Sequence, residues 1–573
     1  MATGGNRLVV AAFDFGTTYS GWAFSLKNDF QADPCKVQAK IWGGNPLSSL
    51  KGPTCVLIEP DGKTLGTFGF DAETRYSQLS FTGEHAKWYY FHRFKMILWN
   101  KPIHKDTMLD DETGKSLSAM TVFSLSIKCM VDDLTAMVNQ RISGLDQKDI
   151  HWVLTVPAIW NDAAKQFMRL AAEEAGISST LLTIALEPEA ASIYCRHIPV
   201  QVGETGSISR FQPGHKYLVL DAGGGTIDIT IHEVCDGVQL KELYKATGGA
   251  WGGKMVDNAF LDFIAALIGK DMLKRFKEEH MEDYIDLLRD FEVKKRATDS
   301  TSEKLLILKI PLALIELVNS KGRSFQQIVQ SSQYAKQTIL SGDKFRIDMN
   351  IFRSFFKQSV DEIVLHVNQL LKMDEASGVD TILMVGGYSE SPMPNESIKK
   401  EFARLKVIVP PDAGLAVLKG AVICGHCPNF ITQRVAKYIY GVKSKRPFVK
   451  GSDPVEKLIK TDLGDYCDDQ FSIFVQTGQT LNAGEYQFEK KIGTAFIVNK
   501  SFNIDIYTTT NKDVKYVTDE GCTKIGSMIV PISGRGIDQR VIVRFKIGGT
   551  EIKVECKEET TGRITSTSVD LLT

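Results

Sequence analysis

Two short segments of the same design restrict what this chain can fold into. Each is an apolar run that ends in an aspartate followed by glycine and threonine: Asp14–Ser20 reads DFGTTYS, and Asp221–Asp228 reads DAGGGTID. In each, one strand delivers the aspartate into a turn and a second strand leaves the turn. Glycines let backbone N–H groups approach phosphate oxygens, threonine hydroxyls can donate to phosphate, and aspartates can hold hydrated Mg²⁺. One such turn is typical of a hairpin, but two in matching surroundings indicate a phosphate site.

The segments that follow the two turns also match in order. After the first turn come a buried-strand pattern, His151–Ala158 (HWVLTVPA), a helix pattern, and Leu186–Ala190 (LEPEA). After the second come Thr381–Gly387 (TILMVGG), another helix pattern, and Pro411–Gly414 (PDAG). Similar elements at similar spacing indicate an internal duplication, with two α/β lobes facing each other across a cleft. Because ligands of open α/β sheets bind at the carboxyl ends of strands, the pattern predicts a nucleotide clamped between the lobes.

Composition narrows the class of protein and of partner. The 573 residues carry 68 lysines and arginines against 69 aspartates and glutamates, and this formal net charge of −1 does not favour nucleic acid as a partner. No apolar stretch reaches the roughly 20 residues of a transmembrane helix, and no signal-peptide pattern opens the chain. The ten cysteines are scattered and do not suggest a disulfide framework. We therefore expect a protein of the cytoplasm, and the nucleus stays open as a second location.

Three regions follow from these patterns. We predict a first lobe over residues 1–205, a second lobe over 206–430, and a β-rich region over 431–573. Helices are predicted over 161–176 and 256–296, and a strand with a short helix over 304–318. In the last region, alternating apolar residues predict strands around 502–506, 541–547 and 552–556, with a turn at Gly548-Gly549 between the last two. No helix pattern follows the β-rich region, and the Gly/Pro-rich stretch 199–215 predicts a loop between the lobes.

These residues resemble the ATPase domain of the heat shock protein 70 family. The motifs that carry the resemblance are DFGTTYS at Asp14, Val156–Asp162 (VPAIWND), Glu187–Ala191 (EPEAA), Asp221–Thr226 (DAGGGT) and Val385–Gly387 (VGG). Other motifs are similar to the atypical branch that contains the heat shock 70 kDa proteins 12A and 12B: Arg93–Met96 (RFKM), Gly386–Pro392 (GGYSESP), Leu418–Val422 (LKGAV) and Tyr440–Val442 (YGV). The resemblance spans about residues 8–428 and continues more weakly into the β-rich region. It implies an actin-like ATPase fold of two duplicated lobes, followed by a β-rich domain without a helical lid.

The resemblance implies roles for particular residues around ATP and Mg²⁺. The catalytic group comprises Glu187, which would orient the attacking water, Lys95, which would stabilise charge on the transferred phosphoryl group, and Asp221. Mg²⁺ would be held by Asp14 and Asp221, with Asp228 close by. The residues implied to bind the nucleotide are Asp14, Gly16, Thr17, Thr18, Tyr19, Gly223, Gly224, Gly225, Thr226, Glu292, Lys295, Arg296, Gly386, Gly387 and Tyr388. The register of Lys95 stays open, because the family's lysine could instead align with Phe94.

The chain departs from the family pattern in three places. After the Gly-Gly pair the family has a serine and an arginine that stacks on adenine, whereas this chain has Tyr388 and Glu390. An aromatic ring at Tyr388 could replace the stacking group, but the base preference stays open. The acidic, leucine-rich linker between the family's two domains is not recognisable near 429–440, and no lid follows the β-rich region. Both departures weaken the expectation of peptide capture and release of the usual kind.

The sequence is compatible with three classes of function. The first is an ATP-binding, slowly hydrolysing chaperone of the stress response that binds an unfolded client or a protein partner through its β-rich region. The second is a nucleotide-gated adaptor without significant turnover. The third is a small-molecule kinase on the same two-lobed fold, since fold alone does not determine function. The appended β-rich region and the EPEAA motif favour the first two classes.

Overall fold

A computed structural model describes residues 7–43, 48–99, 101–198, 211–236, 239–299, 301–302, 305–493, 501–531, 539–547, 551–569 and 571–572. The predicted turn at Gly548-Gly549 and most of the predicted loop 199–215 lie outside these residues. No helix among them is long and apolar enough to cross a membrane.

The first lobe is a mixed α/β unit built on a buried central sheet. The first strand, VVAAFDF, is buried along its whole length, as expected of a strand that is covered on both faces. The strands are β1 Val9–Phe15, β2 Tyr19–Leu26, β3 Gln38–Ala39, β4 Trp42–Gly43, β5 Ser48–Ser49, β6 Gly52–Pro53, β7 Cys55–Ile58, β8 Leu65–Phe68, β9 Tyr89–His92, β10 Met108–Asp110, β11 Ser116–Ser118, β12 Ile150–Val156 and β13 Leu182–Leu186. The helices are α1 Lys27–Ala32, α2 Phe70–Ser80, α3 Ala119–Asn139, α4 Asp162–Glu174 and α5 Glu187–His197.

The second lobe repeats this design and adds a helical subdomain. Its strands are β14 Lys216–Ala222, β15 Ile227–Val234, β16 Leu240–Gly249, β17 Leu306–Lys309, β18 Thr338–Ser341, β19 Lys344–Ile347, β20 Val379–Val385 and β21 Lys406–Ile408. Its helices are α6 Gly253–Ile268, α7 Lys270–Glu279, α8 Met281–Ala297, α9 Leu312–Asn319, α10 Phe325–Ser331, α11 Met349–Leu370, α12 Pro392–Glu401 and α13 Ala416–His426. The predicted helical stretch 256–296 is therefore three helices, because the chain breaks at Gly269, whose φ is +93°, and again at His280.

The strand orders of the two central sheets confirm the predicted duplication. The first sheet runs β13-β12-β1-β2-β3 and the second begins β21-β20-β14-β15-β16. In both, the leading strand pairs antiparallel with the strand that follows its turn and parallel with a strand reached through a long crossover. The aspartates of the two turns, Asp14 and Asp221, lie at equivalent ends of β1 and β14. The turns within Asp14–Ser20 and Asp221–Asp228, called the phosphate turns below, therefore lie at the carboxyl ends of the two central strands, one in each lobe.

Two helices cross between the sheets at the base of the cleft. Helix α5 of the first lobe packs against α13 of the second, and both contribute to one apolar cluster that also contains residues of β1, β12, β14 and β20. The crossing is close because α13 has no side chain at Gly420. A Cβ atom at Gly420 would lie 1.7 Å from the carbonyl oxygen of Ala190 in α5. The two lobes are thus joined by backbone-to-backbone packing of a helix pair.

The β-rich region forms two packed sheets. The strands after α13 are β22 Ile431–Val435, β23 Ile439–Pro447, β24 Leu458–Thr461, β25 Gly464–Val475, β26 Thr480–Asn482, β27 Gln487–Gly493, β28 Ser501–Thr509, β29 Thr523–Pro531, β30 Arg540–Lys546, β31 Lys553–Glu558 and β32 Ile564–Ser568. One sheet has the order β24-β25-β23-β28-β29 and the other β27-β30-β31-β32. Buried side chains from the two sheets, including Val442, Ile504 and Val543, form a single core between them.

The segment after residue 430 does not leave the second lobe at once. Strand β22 pairs parallel with β16, and β26 pairs with β22, so both extend the second lobe's central sheet. The guanidinium of Arg434 in β22 donates to both carboxylate oxygens of Glu189 in α5, at 2.6 Å each. The region where no family-type linker was recognisable therefore forms a strand between β16 and β26 that is bound to both lobes.

The β-rich region also contacts the first lobe through one face of α4. The hydroxyl of Tyr440 donates to Asp162 at 2.8 Å, and Arg169 forms an ion pair with Glu551. Near the end of the described chain, the side-chain amide of Gln166 donates to the carbonyl oxygen of Val569 at 2.7 Å and accepts from the backbone N–H of Leu571 at 2.6 Å. Hydrogen bonds and an ion pair therefore connect the β-rich region to α4, the helix that follows the VPAIWND motif.

We expect Gly420→Ala to destabilise the protein, because the added methyl group would enter the space of the α5 backbone. The helix propensity gain of alanine, about 1 kcal/mol, should be outweighed by overpacking, which costs about 1–3 kcal/mol or more. Gly43→Ala is the matched control, since nothing lies within 4 Å of a Cβ atom there. Chemical denaturation should show a lower free energy of unfolding for Gly420→Ala and little change for Gly43→Ala. Equal stabilities of the two variants would contradict the close helix crossing.

Candidate functional site

The two phosphate turns lie in one cavity between the lobes. The cavity has a volume of about 310 Å³. The predicted site residues that line it are Asp14, Gly16, Thr17, Thr18, Tyr19, Lys95, Glu187, Asp221, Gly223, Gly224, Gly225, Thr226, Glu292, Lys295, Arg296, Gly386, Gly387 and Tyr388. Residues that are far apart in the sequence are therefore brought together, and of the predicted set Asp228 lies off the cavity wall.

The turns approach each other so closely that glycine is required. A Cβ atom at Gly224 would lie 2.1 Å from the hydroxyl oxygen of Thr18, and one at Gly225 would lie 2.6 Å from the hydroxyl oxygen of Thr17. No L-residue with a side chain could take these positions without moving the opposite turn. The hydroxyls of the first turn and the bare backbone of the second therefore face one another, as a phosphate cradle requires.

The start of α6 holds the second turn in a fixed orientation. The backbone N–H groups of Gly253 and Lys254 donate to the carbonyl oxygens of Gly223 and Gly224, at 3.2 and 2.7 Å. Because the C=O and N–H of a trans peptide point in opposite directions, binding the carbonyls on the α6 side turns the N–H groups that follow them away from α6. The turn thus presents N–H donors on the side where the first lobe lies.

Three carboxylates, those of Asp14, Glu187 and Asp221, occupy the floor of the cleft. Asp14 accepts from the hydroxyl of Thr155 at 3.1 Å and forms an ion pair with Lys51. Burial raises the pKa of Asp221 well above its usual value, and the nearby carboxylates, first of all Glu187, raise it further. Burial also raises the pKa of Glu187, although Lys95 opposes the rise. With all three carboxylates ionised, the floor would carry one more negative charge than Lys51 and Lys95 compensate, so a divalent cation would favour their ionised form.

Lys95 and Glu187 form a buried ion pair beside the phosphate turns. The ammonium of Lys95 donates to Glu187 at 2.9 Å and lies 4.9 Å from the ring centre of Trp160. Its side chain is 2% exposed. Phe94 packs in the core against Phe15, while Lys95 lines the cavity.

The residues present fit Mg²⁺ bound together with phosphate. Carboxylate oxygens are the protein ligands that Mg²⁺ prefers, and this ion keeps several waters and shares its remaining positions with phosphates. Within the described part of the chain, no three His, Cys, Asp or Glu side chains are clustered tightly enough to hold a metal by themselves. Asp14 and Asp221 could therefore hold the ion through its waters, with the phosphates completing the site.

Asp228 has a different environment from the other predicted metal residues. Its Oδ2 accepts from the backbone N–H groups of Ala158 and Ile159, at 2.5 and 3.2 Å. Burial raises its pKa to about 7, and Glu187 contributes to the rise. Asp228 thus connects the second lobe to the VPAIWND segment of the first, and its predicted role at the metal stays a prediction.

Charged residues of α8 line another part of the cavity wall. Arg296 donates to Glu292 at 2.7 Å, and its guanidinium lies 4.4 Å from the ring centre of Tyr19. Lys295 is buried and pairs with both Glu292 and Asp257, at 2.6 Å each. The α8 residues implied by the resemblance are therefore not a solvated helix face, since one network fixes them at the cavity wall.

Tyr388 lines the cavity but lies mostly below its surface. The side chain is 4% exposed and its hydroxyl donates to Ser359 of α11 at 3.0 Å. Part of the ring is next to Gly253 and Lys295. The hydroxyl of Tyr388 is thus bound within the second lobe. The stacking of its ring on a base stays a prediction.

Several residues in or beside the cavity were not predicted from the sequence to belong to the site. Lys51, which pairs with Asp14, follows a stretch without regular pattern, and nothing in its surroundings marks it. Met96 receives a weak hydrogen bond from the hydroxyl of Thr17, and it lies within the RFKM motif that was singled out for Lys95. Gly253 and Gly414 also line the cavity, and only the structure brings them to the site.

Comparisons with known proteins agree with this geometry. A family model described as Hsp70 protein matches residues 94–435, which include Lys95, Glu187, the second phosphate turn and β22. Heat shock 70 kDa protein 12A of Mus musculus is 32% identical over 99% of this chain and 92% of its own length. The Homo sapiens protein of the same name is 31% identical over 99% of this chain and 92% of its own length. Heat shock 70 kDa protein 12B of Homo sapiens is 31% identical over 98% of this chain and 91% of its own length.

We expect Asp221→Asn to stabilise the nucleotide-free protein while it removes Mg²⁺-dependent binding. A carboxyl group with a raised pKa in the folded state loses stability as the pH rises through that pKa, because ionisation is costly only in the folded protein. The amide cannot ionise, so the gain in melting temperature over the parent should be larger at pH 8 than at pH 5.

Thermal denaturation with EDTA at both pH values measures this effect. Asp262→Asn, on the exposed side of α6, is the matched control and should leave the profile unchanged. A variant that is less stable than the parent at pH 8 would contradict the repulsive carboxylate floor.

Proposed function

Because the chain belongs to the Hsp70 family, we propose that it binds ATP with Mg²⁺ between its two lobes and hydrolyses ATP slowly. Nucleotide state then changes the affinity of the β-rich region for an extended segment of a protein partner. The observation that carries the first proposal is the cavity that contains both phosphate turns and the Lys95–Glu187 pair. The similarity to the 12A and 12B proteins over nearly the whole chain supports it.

The phosphate end of the cavity has the donors that a triphosphate requires. The hydroxyls of Thr17 and Thr18 face the glycine backbone across the cleft, so donors from both lobes would contact the same phosphates. Mg²⁺, when bound, would neutralise phosphate charge, and Asp14 and Asp221 would hold it through its waters. Its charge would oppose the rise in the pKa of Asp221 that burial and then the nearby carboxylates cause.

Lys95 and Glu187 divide the chemistry of hydrolysis between them. Lys95 brings a positive charge to a buried position beside the turns, where it would stabilise charge that develops on the transferred phosphoryl group. Glu187 is the first residue of α5, just before Pro188, and its carboxylate would accept a hydrogen bond from the attacking water and orient it. The ion pair holds both side chains in place before any nucleotide binds.

Substitution of Glu187 tests the proposed hydrolysis. Glu187→Gln keeps the shape and a hydrogen-bond acceptor for Lys95 but removes the charge that orients water. We expect single-turnover hydrolysis to slow by about 10- to 10³-fold, with ATP affinity changed little. Glu401→Gln, at the exposed end of α12, is the control. Unchanged hydrolysis in Glu187→Gln would overturn the assignment, no hydrolysis in the parent would favour an adaptor, and ADP release that depends on an added sugar would indicate a kinase.

The coupling between nucleotide and partner would pass through β22. Helix α5 begins with Glu187 at the cavity and, two residues later, places Glu189 against Arg434 of β22. The next residue, Val435, donates its N–H to Glu242 of the second lobe at 3.0 Å. A shift of α5 that accompanies nucleotide binding would therefore move the strand that leads into the β-rich region. Two sites that share one such equilibrium influence each other's affinity.

Removing the Arg434–Glu189 pair tests this route. Arg434→Met with Glu189→Gln deletes both charges together, which avoids leaving one of them buried and unpaired. Arg544→Met with Glu555→Gln, an ion pair between β30 and β31, is the matched control. The ligand is a permanently unfolded protein, reduced and carboxymethylated lactalbumin, and its affinity for the full chain is measured with ADP and with ATP.

The ratio of these two affinities reports the coupling. We expect ATP to change the affinity of the parent and the control by about fivefold or more, and the ratio to approach one in the Arg434/Glu189 variant. A nucleotide effect that survives in that variant would contradict the route through β22. No binding by the parent under either condition would overturn the proposed partner site.

A further inference from the structure

In the turn that follows β20, some side chains point into the protein interior and others face the cavity. Tyr388 points inward, where its hydroxyl donates to Ser359. The hydroxyl of Ser391 donates to the carbonyl oxygen of Lys295 at 2.8 Å, which ties the turn to α8. Glu390 is exposed and remains on the cavity wall. The turn is thus held from two sides and presents one carboxylate to the site.

The carboxylate of Glu390 is held against a bare backbone segment. The N–H of Gly414 donates to Glu390 Oε1 at 2.7 Å. A Cβ atom at residue 414 would lie 2.9 Å from Oε1 and 3.1 Å from Oε2, so the carboxylate lies directly against the glycine backbone. Within the part of the chain that the structure describes, Oε2 accepts no hydrogen bond. One oxygen therefore fixes the group, and the other is left to accept from a ligand.

The neighbouring cation does not occupy this carboxylate. Arg296 is bound to Glu292 and lies against the ring of Tyr19. Burial lowers the pKa of Arg296, but Glu292 outweighs the burial and Glu390 adds to the rise at longer range. Arg296 and Glu390 are thus close enough to interact electrostatically, yet they are not paired by a hydrogen bond. A planar group between them would meet a cation on one side and an acceptor on another.

We propose that Glu390 determines the base specificity of this site by accepting a hydrogen bond from an exocyclic amine at position 6 of a purine. The proposal rests on the nucleotide binding proposed above. An ionised carboxylate can only accept hydrogen bonds, and carboxylates read the exocyclic amines of bases in this way. A 6-oxo purine would place a second acceptor against Glu390, and a purine with hydrogen at position 6 would offer it nothing. A site that is built to accept from an amine rejects analogues that lack it.

A structural role for Glu390 makes a different prediction. If the carboxylate serves only to fix Gly414, its substitution should change the affinity of all nucleotides by a similar factor. A role in base selection should instead change the affinity of ATP relative to that of its 6-substituted analogues. The ratio of affinities therefore separates the two roles, and it also cancels any general effect of removing one negative charge near a polyanionic ligand.

The test uses calorimetry of the full chain with Mg²⁺ and four triphosphates. These are ATP, inosine triphosphate with a 6-oxo group, purine riboside triphosphate with hydrogen at position 6, and GTP. The variant is Glu390→Gln, whose amide oxygen can still accept from Gly414. The control is Glu396→Gln, on the exposed face of α12. Inorganic triphosphate serves as a ligand without a base.

We expect the parent and the control to bind ATP about tenfold tighter than the other three nucleotides, in line with the value of a hydrogen bond to a charged group at a partly exposed position. In Glu390→Gln the preference over inosine triphosphate should fall to about twofold or less, because the amide can donate to a 6-oxo group. Equal affinities for all nucleotides in the parent, a preference for GTP, or an ATP preference that survives in Glu390→Gln would each overturn the proposal.

The proposed nucleotide binding and the proposed role of Glu390 are contradicted by different results. If the parent binds inorganic triphosphate and all four nucleotides without preference, nucleotide binding stands and the role of Glu390 is wrong. If the parent binds none of them, the proposed function fails, and the role of Glu390 fails with it.

Discussion

The contact between two turns from different lobes is the constraint on which the site depends. Gly224 and Gly225 lie so close to the hydroxyls of Thr18 and Thr17 that a single added carbon atom would separate the lobes. This approach brings the carboxylates of β1 and β14 into one buried space, where burial and then the neighbouring carboxylates raise the pKa of Asp221. Burying like charges is costly unless a cation joins them. The same geometry that destabilises the unliganded site therefore creates its affinity for a metal-bound polyanion.

The helix pair at the base of the cleft turns this local contact into a property of the whole molecule. Helix α5 carries Glu187 into the cavity and Glu189 to β22, so the nucleotide site and the start of the β-rich region share one rigid element. Its tight crossing with α13 at Gly420 leaves little room for independent movement of the two helices. Helix α4 also binds the β-rich region, through Asp162, Arg169 and Gln166. The cavity between the lobes and the β-rich region are thus physically connected along two paths.

The sequence predicts what is local and repeated, and it misses what depends on distant pairing. The duplicated turns, the order of elements in both lobes and the family are confirmed, because each rests on residues that are close together and recur. Helix α4 also appears as predicted, with Asn161 at its N-cap. Lys51 and Arg434 could not be assigned, because a lysine or arginine outside any motif shows no sign of the carboxylate that it will meet after folding. The membership of β22 in the second lobe's sheet was missed for the same reason, since strand pairing is set by partners almost 200 positions away.

Calorimetric titration of the unmodified full chain with ATP, in Mg²⁺ and then in EDTA, tests the central claim most directly. We expect one ATP site per chain, much weaker ATP binding without Mg²⁺, and displacement of ATP by ADP. These results follow if the two aspartates and the phosphate turns act on the same ligand. Binding of equal strength in Mg²⁺ and EDTA would contradict the metal-bridged cradle. Absence of binding under both conditions would contradict the nucleotide site itself.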